Sequence, residues 1–172
     1  MKKWLIALIS VFLLAACSDN KELDAKEAKN VINEGTAGFT VFGGNIEEAQ
    51  NVPVEEKNKI IAAFNEYIEA FNSENIQRYS ATLSKEAKGF DYDQDLSEAQ
   101  EVFNKYTVNR EAQDVTIVKY NEDEAQVFAN LSVKMIEDAT NTEVASTGRQ
   151  VTVFVKEQDA WNVSSVYYIG NE

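Results

Sequence analysis

Ala125-Gln-Val-Phe-Ala-Asn-Leu-Ser-Val-Lys-Met135 alternates without a break. Ala125, Val127, Ala129, Leu131, Val133 and Met135 are apolar, and Gln126, Asn130, Ser132 and Lys134 oppose them. A period of two places these groups on opposite faces of a strand, with one face buried. The same period extends outward on both sides. Upstream, Val115 and Ile117 flank Thr116 from Gln113 onward, and Asn121 to Glu124 reads as a turn. Downstream, Asp138 to Thr142 turns the chain, Val151, Val153 and Val155 line a face, Glu157 to Ala160 turns it again, and Trp161, Val163, Ser165, Tyr167 and Ile169 finish the pattern. Short turns between alternating runs predict an antiparallel meander of about four strands, with the odd-numbered positions facing inward.

The period before this stretch is helical. Pro53 with Glu55 and Glu56 marks a helix start. Ile60, Ile61, Phe64, Tyr67, Ile68 and Phe71 then trace one face to about Asn72. Ser73 is placed to cap a second helix carrying Ile76, Tyr79 and Leu83. Asp95 with Glu98 has the form of a capping box, and a third helix is expected over Leu96 to Tyr106. Helices followed by hairpin-linked strands predict an α+β domain over residues 54–172, with three N-terminal helices packed on a curved antiparallel sheet. This is an ordinary size for one core.

The N-terminus has another character. Lys2 and Lys3 precede an apolar run from Trp4 to Leu14, followed by Ala15, Ala16 and Cys17, the only cysteine in the chain. The run is well short of the roughly 20 apolar residues that span a bilayer. Basic start, apolar run and small residues divide residues 1–16 as a signal peptide. Leu14-Ala15-Ala16-Cys17 resembles the lipobox of bacterial lipoproteins. The resemblance implies cleavage before Cys17, a diacylglycerol on its sulfur with palmitate-type acyl chains, and a lipid anchor on the extracytoplasmic side of the cell membrane. Residues 17–53 then form the lipidated tether. Within it Gly35-Thr-Ala-Gly-Phe-Thr-Val-Phe-Gly-Gly44 does not suit a solvated linker, because Phe39, Val41 and Phe42 are apolar and β-prone. It is either a docked strand or loop completing the core, or a movable segment offered to a cleft or partner.

Composition narrows the chemistry. The chain carries 16 basic and 29 acidic residues, a net charge of −13, and cleavage after Ala16 removes two lysines and no acid, leaving −15. Such a body is repelled by anionic headgroups and by nucleic acid, which needs clustered cations. Histidine is absent, so the commonest general base, zinc ligand and pH switch are all missing. One cysteine, reserved for lipid, leaves no disulfide and no thiolate metal site. Asp91, Asp93 and Asp95 alternate as in a calcium loop, but Leu96 and Val102 stand where that loop requires glycine and glutamate. No metal or cofactor is expected.

The order of elements, Phe64-Asn-Glu-Tyr-Ile-Glu-Ala-Phe-Asn-Ser-Glu-Asn-Ile, then Leu96 to Tyr106, then the meander ending in Asp159-Ala-Trp161-Asn-Val163, resembles the nuclear transport factor 2-like superfamily. That resemblance covers about Val54 to Ile169. It implies a cone in which helices half-enclose a curved sheet, used by some members for catalysis on small hydrophobic molecules and by others for binding. Tyr67, Tyr79, Tyr106, Tyr167 and Trp161 either line an apolar pocket inside it or are core residues with hydroxyls at the rim. Ser165 is either a packing residue or a donor to a ligand. The strand faces expected to point inward carry no ionisable group, and Glu66 and Glu69 are expected to face solvent, so no interior carboxylate is available as a base. The favoured reading is a non-enzymatic binding module whose partner is an envelope protein, peptide or glycan. The alternatives are a carrier or sensor of a small hydrophobic ligand and, permitted by the resemblance, an isomerase- or dehydratase-like enzyme. Phe128, Phe154, Val166 and Tyr168 are expected on one exposed face, and with Phe39 and Phe42 they form a candidate interaction surface. A homodimer or the 35–44 segment would cover it.

Overall fold

The computed structural model describes residues 46–171. The signal peptide, Cys17, the tether and the 35–44 segment with Phe39 and Phe42 lie outside them. Three helices, α1 (Val54–Asn72), α2 (Ile76–Thr82) and α3 (Tyr92–Phe103), precede four strands, β1 (Tyr106–Tyr120), β2 (Glu124–Glu137), β3 (Glu143–Glu157) and β4 (Ala160–Gly170). The strands pair antiparallel in the order β1-β2-β3-β4. The architecture is the expected α+β one.

Helix α1 forms for the reasons its sequence states. Glu55 and Glu56 occupy the first turn, and Ile60, Phe64, Tyr67, Ile68 and Phe71 are buried along one stripe. Each large apolar side chain contributes on the order of 1.5–3 kcal/mol when removed from water. That exceeds the helix propensity of any single position by several-fold. Ion pairs tie α1 to the rest. Glu56 accepts from Trp161 Nε1 at 3.0 Å and pairs with Lys156 at 3.1 Å, linking α1 to the β3–β4 hairpin. Arg78 of α2 grips Glu66 at 2.5 and 2.7 Å and reaches Glu69 at 3.2 Å.

Three boundaries differ from expectation. Asn75 caps α2, its side chain accepting from Arg78 N, while Ser73 closes α1 by donating its backbone N–H to Glu69 O. Asp91 caps α3 by accepting from Gln94 N, so the helix begins one turn before the proposed capping box and Asp95 is free to point elsewhere. Tyr106 belongs to β1, which begins seven residues before Gln113. Its first half carries Arg110 and Glu111 amid small and polar groups, and pairing with β2 overrides that weak pattern.

The inward parity is the largest correction. Odd-numbered residues of β2 do face the helices, but the register pairs Ala125 with Phe154 and Phe128 with Val151. On β3 the even positions Gln150, Thr152 and Phe154 therefore share the helix side, and Val151 lies opposite. A bulge on β4 at Ser164 shifts the register again, so that Val163 pairs with Phe154 but Tyr167 pairs with Val151. Phe154 is fully buried in the main core, not exposed. Tyr167 joins Phe128, Val151, Val118, Ile169 and Ile46 in a second cluster on the far face of the sheet. Period two says that neighbours alternate; turn length and bulges decide which parity faces in.

Two connections shape the open end of the cone. Leu83 bridges to Val163, and the chain then follows β4, with Lys88 and Gly89 donating to Ser164 O at 3.0 and 2.9 Å. Gly89 lies so close that a Cβ there would stand 2.6 Å from Ser165. Before α1, Ala49 donates to Ile117 O at 2.7 Å, laying residues 46–52 against the β1 edge.

Candidate binding site

A cavity of about 330 Å³ opens between α1, α2, α3 and the helix side of β1 and β4. Phe71, Leu83, Phe90 and Val102 supply much of its apolar wall, and Tyr67, Tyr79, Asp95 and Arg110 its polar groups. This volume falls at the low end of small-molecule sites. Its aromatic floor is closely coupled: Phe71 meets Phe103 at 4.8 Å and Tyr79 at 5.2 Å between centroids, both edge-on.

Arg110 is the central feature. It sits on the helix side of β1, paired with Val133. The Asn72 side chain at the end of α1 holds its backbone from both sides, accepting from Arg110 N at 2.8 Å and donating to Arg110 O at 2.9 Å. The guanidinium lies 3.5 Å from the Phe71 ring centre, and its Nη1 donates to Tyr67 Oη at 3.4 Å. A cation on an aromatic face gains about 0.5–2 kcal/mol. Among the described residues Arg110 forms no ion pair. The donors not turned to Tyr67 remain available to an acceptor in the cavity.

Asp95 faces it from α3. Tyr79, 4% exposed, donates its hydroxyl to Asp95 Oδ2 at 3.0 Å. Burial pushes the Asp95 carboxyl above its ordinary range, and the hydroxyl bond and Arg110 pull it back only in part. Burial likewise pushes the Tyr79 phenol well above its ordinary value. The cone therefore does hold a shielded carboxylate beside a tyrosine. It comes from α3, not from a strand, and corrects the expectation that no interior carboxylate is available. Glu66, with its side chain 42% exposed, is held below the usual carboxylate range by Arg78 and takes no part in the cavity.

Of the six anticipated lining residues, Tyr67 and Tyr79 reach the cavity. Trp161 is core, donating to Glu56. Tyr106 packs against the same core at the start of β1 without lining the cavity. Ser165 pairs with Val153 under Gly89, and Tyr167 lies on the far face. Of the anticipated interaction face, Phe128 is in the far-face cluster, Phe154 is in the core, and Tyr168 stands 42% exposed opposite Gln150. They form no common surface. Sequence reasoning missed Arg110 and Asp95; the signal available was a lone arginine in a strand between Val108 and Ala112, at core parity. The alternating aspartates do not converge: Asp91 caps, Asp95 turns inward, and no three acidic side chains among the described residues form a metal-sized cluster.

Solved structures with the same architecture include a ketosteroid isomerase-like protein from Erwinia carotovora atroseptica SCRI1043, 20% identical, covering 70% of this chain and 99% of that one with a TM-score of 0.58. A candidate scytalone dehydratase from Novosphingobium aromaticivorans DSM 12444 is 11% identical over 69% of this chain and 86% of its own, at 0.63. A candidate dehydratase of the NTF2-like family from Streptomyces avermitilis is 12% identical over 70% and 99%, at 0.59. These likenesses establish the NTF2-like cone and nothing of its chemistry. No curated protein matches. A family profile described as anti-sigma-I factor RsgI9, C-terminal domain, matches residues 62–169, which run from within α1 to the end of β4 and include both Asp95 and Arg110. On that match, over more than half of its length, the chain belongs to the anti-sigma-I factor RsgI9 C-terminal domain family.

Proposed function

We propose that this chain is a lipid-anchored, extracytoplasmic binding module whose cone takes up a small molecule with an apolar body and an anionic group. The observation that carries this reading is Arg110: clamped by Asn72, seated on Phe71, and in no ion pair among the described residues. A half-buried guanidinium beside aromatic rings favours a carboxylate, which it binds through paired donors. Asp95 and Glu98 lie on the α3 side of the same cavity, so a hydrogen-bond donor at the far end of the ligand would complete the match. Membership of a family named for a regulatory protein supports binding over turnover. The lipid anchor rests on residues 1–17 of the sequence, and among the described residues no helix is long and apolar enough to cross a membrane.

Calorimetric titration with 4-hydroxybenzoate, against 4-hydroxybenzyl alcohol as its uncharged counterpart, tests the pocket. The acid should bind at least tenfold more tightly, and Arg110→Gln should erase the difference. Equal binding of the two, or of neither, together with native mass spectra showing no retained compound, would refute it. Palmitate labelling of intact cells, absent in Cys17→Ala, tests the anchor.

A second reading has its own observation. Asp95, with its carboxyl raised by burial and bonded to Tyr79, has the disposition of a proton-transfer group. An isomerase- or dehydratase-like activity would then use Asp95 as base and Arg110 as an anchor. Exchange of α-protons of a small cyclic ketone in D2O, followed by NMR and abolished by Asp95→Asn, would support it. Exchange no faster than in buffer would leave binding alone.

A further inference from the structure

The ligand cavity is unequal in charge from wall to wall. Arg110 of β1 is the one cation among its lining residues, and Asp95 and Glu98 of α3 stand across from it. The spacing i, i+3 puts both carboxylates on one side of the helix. Among the described residues neither enters an ion pair. The Asp95 side chain accepts from Tyr79 Oη at 3.0 Å, and the Glu98 side chain accepts from Gln94 Nε2 at 2.8 Å. Both of these partners are neutral. Burial first, and the Glu98 charge after it, push the Asp95 carboxyl up. A cation beside the two carboxylates would relieve both effects.

The space also continues past this wall. A hollow of about 210 Å³ is lined by Phe90, Asp91, Gln94, Asp95 and Glu98, and Phe90, Asp95 and Glu98 line the main cavity as well. Arg110 does not border this hollow, and no lysine or arginine lines it. A ligand held on Arg110 thus has room for a head group on the acidic side. With a carboxylate alone, such a ligand satisfies Arg110 and leaves its apolar end against two carboxylates, and taking those from water without a partner costs free energy. It also has to approach a chain of net charge −13, which repels anions. An ammonium at the far end removes both objections. It brings three donors and a positive charge to carboxylate acceptors. Phe90, shared by the two hollows, offers an aromatic surface at the same place.

Given Arg110 as the anion anchor, on which this rests, we infer that the ligand is amphoteric: a compact apolar body with a carboxylate at one end, on Arg110, and an amine at the other, on Asp95 and Glu98. The two ends fix its direction in the cavity, with the amine toward the exposed Glu98.

Calorimetry on the full-length, detergent-solubilised chain at neutral pH separates the two ends. 4-(Aminomethyl)benzoate carries both charges, 4-methylbenzoate lacks the amine, and 4-methylbenzylamine lacks the carboxylate. The first should bind at least tenfold more tightly than either of the others. Asp95→Asn and Glu98→Gln, made separately, should each cut its advantage over 4-methylbenzoate at least threefold. Equal binding of 4-(aminomethyl)benzoate and 4-methylbenzoate overturns the inference and leaves Arg110 standing as an anion site. Equal binding of 4-(aminomethyl)benzoate and 4-methylbenzylamine, or no binding of any of the three, overturns the anion site with it. An advantage unchanged in either variant also overturns the inference, because the amine then sits elsewhere.

Discussion

The two faces of one sheet are built on different terms. The helix side is closed by local chain: α1, α2 and α3 follow one another in sequence and bury Phe64, Phe71 and Phe154 against β2, β3 and β4. It then leaves an opening in which Arg110 and Asp95 stand at opposite walls. The far side carries a smaller cluster around Phe128 and Val151, and the described chain contributes a single isoleucine to it from outside the sheet. A face sealed by three helices can hold polar groups at fixed positions without losing its core. The difference sets the cavity with Arg110 and Asp95 on the first face.

The contrast is broken most directly by truncating a phenylalanine on each side. Phe64→Ala should cost about 3–5 kcal/mol, as for a closed core that cannot collapse around the void. Phe128→Ala should cost less, because the cluster around it on the far face is smaller than the main core. Chemical denaturation of both variants measures this, and equal losses would mean that the far face is as tightly sealed as the near one.

Asn72→Ala probes the near face alone. It removes both hydrogen bonds that hold the Arg110 backbone, and the partly buried groups left behind cost about 1–3 kcal/mol. The same substitution should weaken 4-hydroxybenzoate at least as much as it weakens the fold, since Arg110 loses its fixed approach. Unchanged affinity would show that Phe71 alone positions the guanidinium.

Acidification sharpens the comparison further. Lys156 beside Glu56, and Arg78 beside Glu66, hold those carboxyls below their ordinary range. Their contribution is present above the unfolded value of roughly 4.3 and is lost as pH falls through the lowered folded values. Both carboxyls belong to α1, so the amides of that helix should lose exchange protection first below about pH 4. Glu66→Gln should flatten the acid arm of the stability profile. A profile identical to that of the unsubstituted protein would show that the Arg78 pair contributes nothing.

Asp95→Asn should have the smallest effect on stability and the opposite sign in pH. The folded Asp95 carboxyl titrates above its unfolded counterpart, so the fold is favoured by the protonated form, and this advantage is lost as pH rises through the folded value. Asparagine still accepts from Tyr79. The variant should therefore match or slightly exceed the parent at neutral pH, with the difference vanishing in acid. A clear loss of stability at neutral pH would mean that the ionised carboxylate is itself held by a favourable field.

Much of the architecture could be read from particular residues. The Ala125–Met135 alternation and the Ile60–Phe71 stripe each describe a face whose burial is worth more than any competing local preference. Asn121, Asp138–Thr142 and Gln158–Asp159 end strands for reasons of turn chemistry; Asn121 Oδ1 accepts from Asp123 N and Glu124 N, and Gln158 and Asp159 adopt positive φ. The site was less legible. Tyr67 and Tyr79 could be nominated because aromatic residues at core parity have few places to go. Arg110 and Asp95 could not, because one lies on a strand half whose alternation is blurred and the other has the local pattern of a cap that Asp91 provides instead.

Sequence alone determined the order and type of the elements, the acidic and histidine-free surface chemistry, and the one face of α1 that must be buried, because periodicity and composition are local properties. Tertiary structure alone decided which parity of β3 and β4 faces the helices, and therefore which aromatics line the cavity. A turn of different length or one extra residue at Ser164 exchanges the faces of an entire strand without changing its pattern. The meeting of Arg110 with Phe71, and of Asp95 with Tyr79, is decided in the same way, by packing between segments that no local pattern relates.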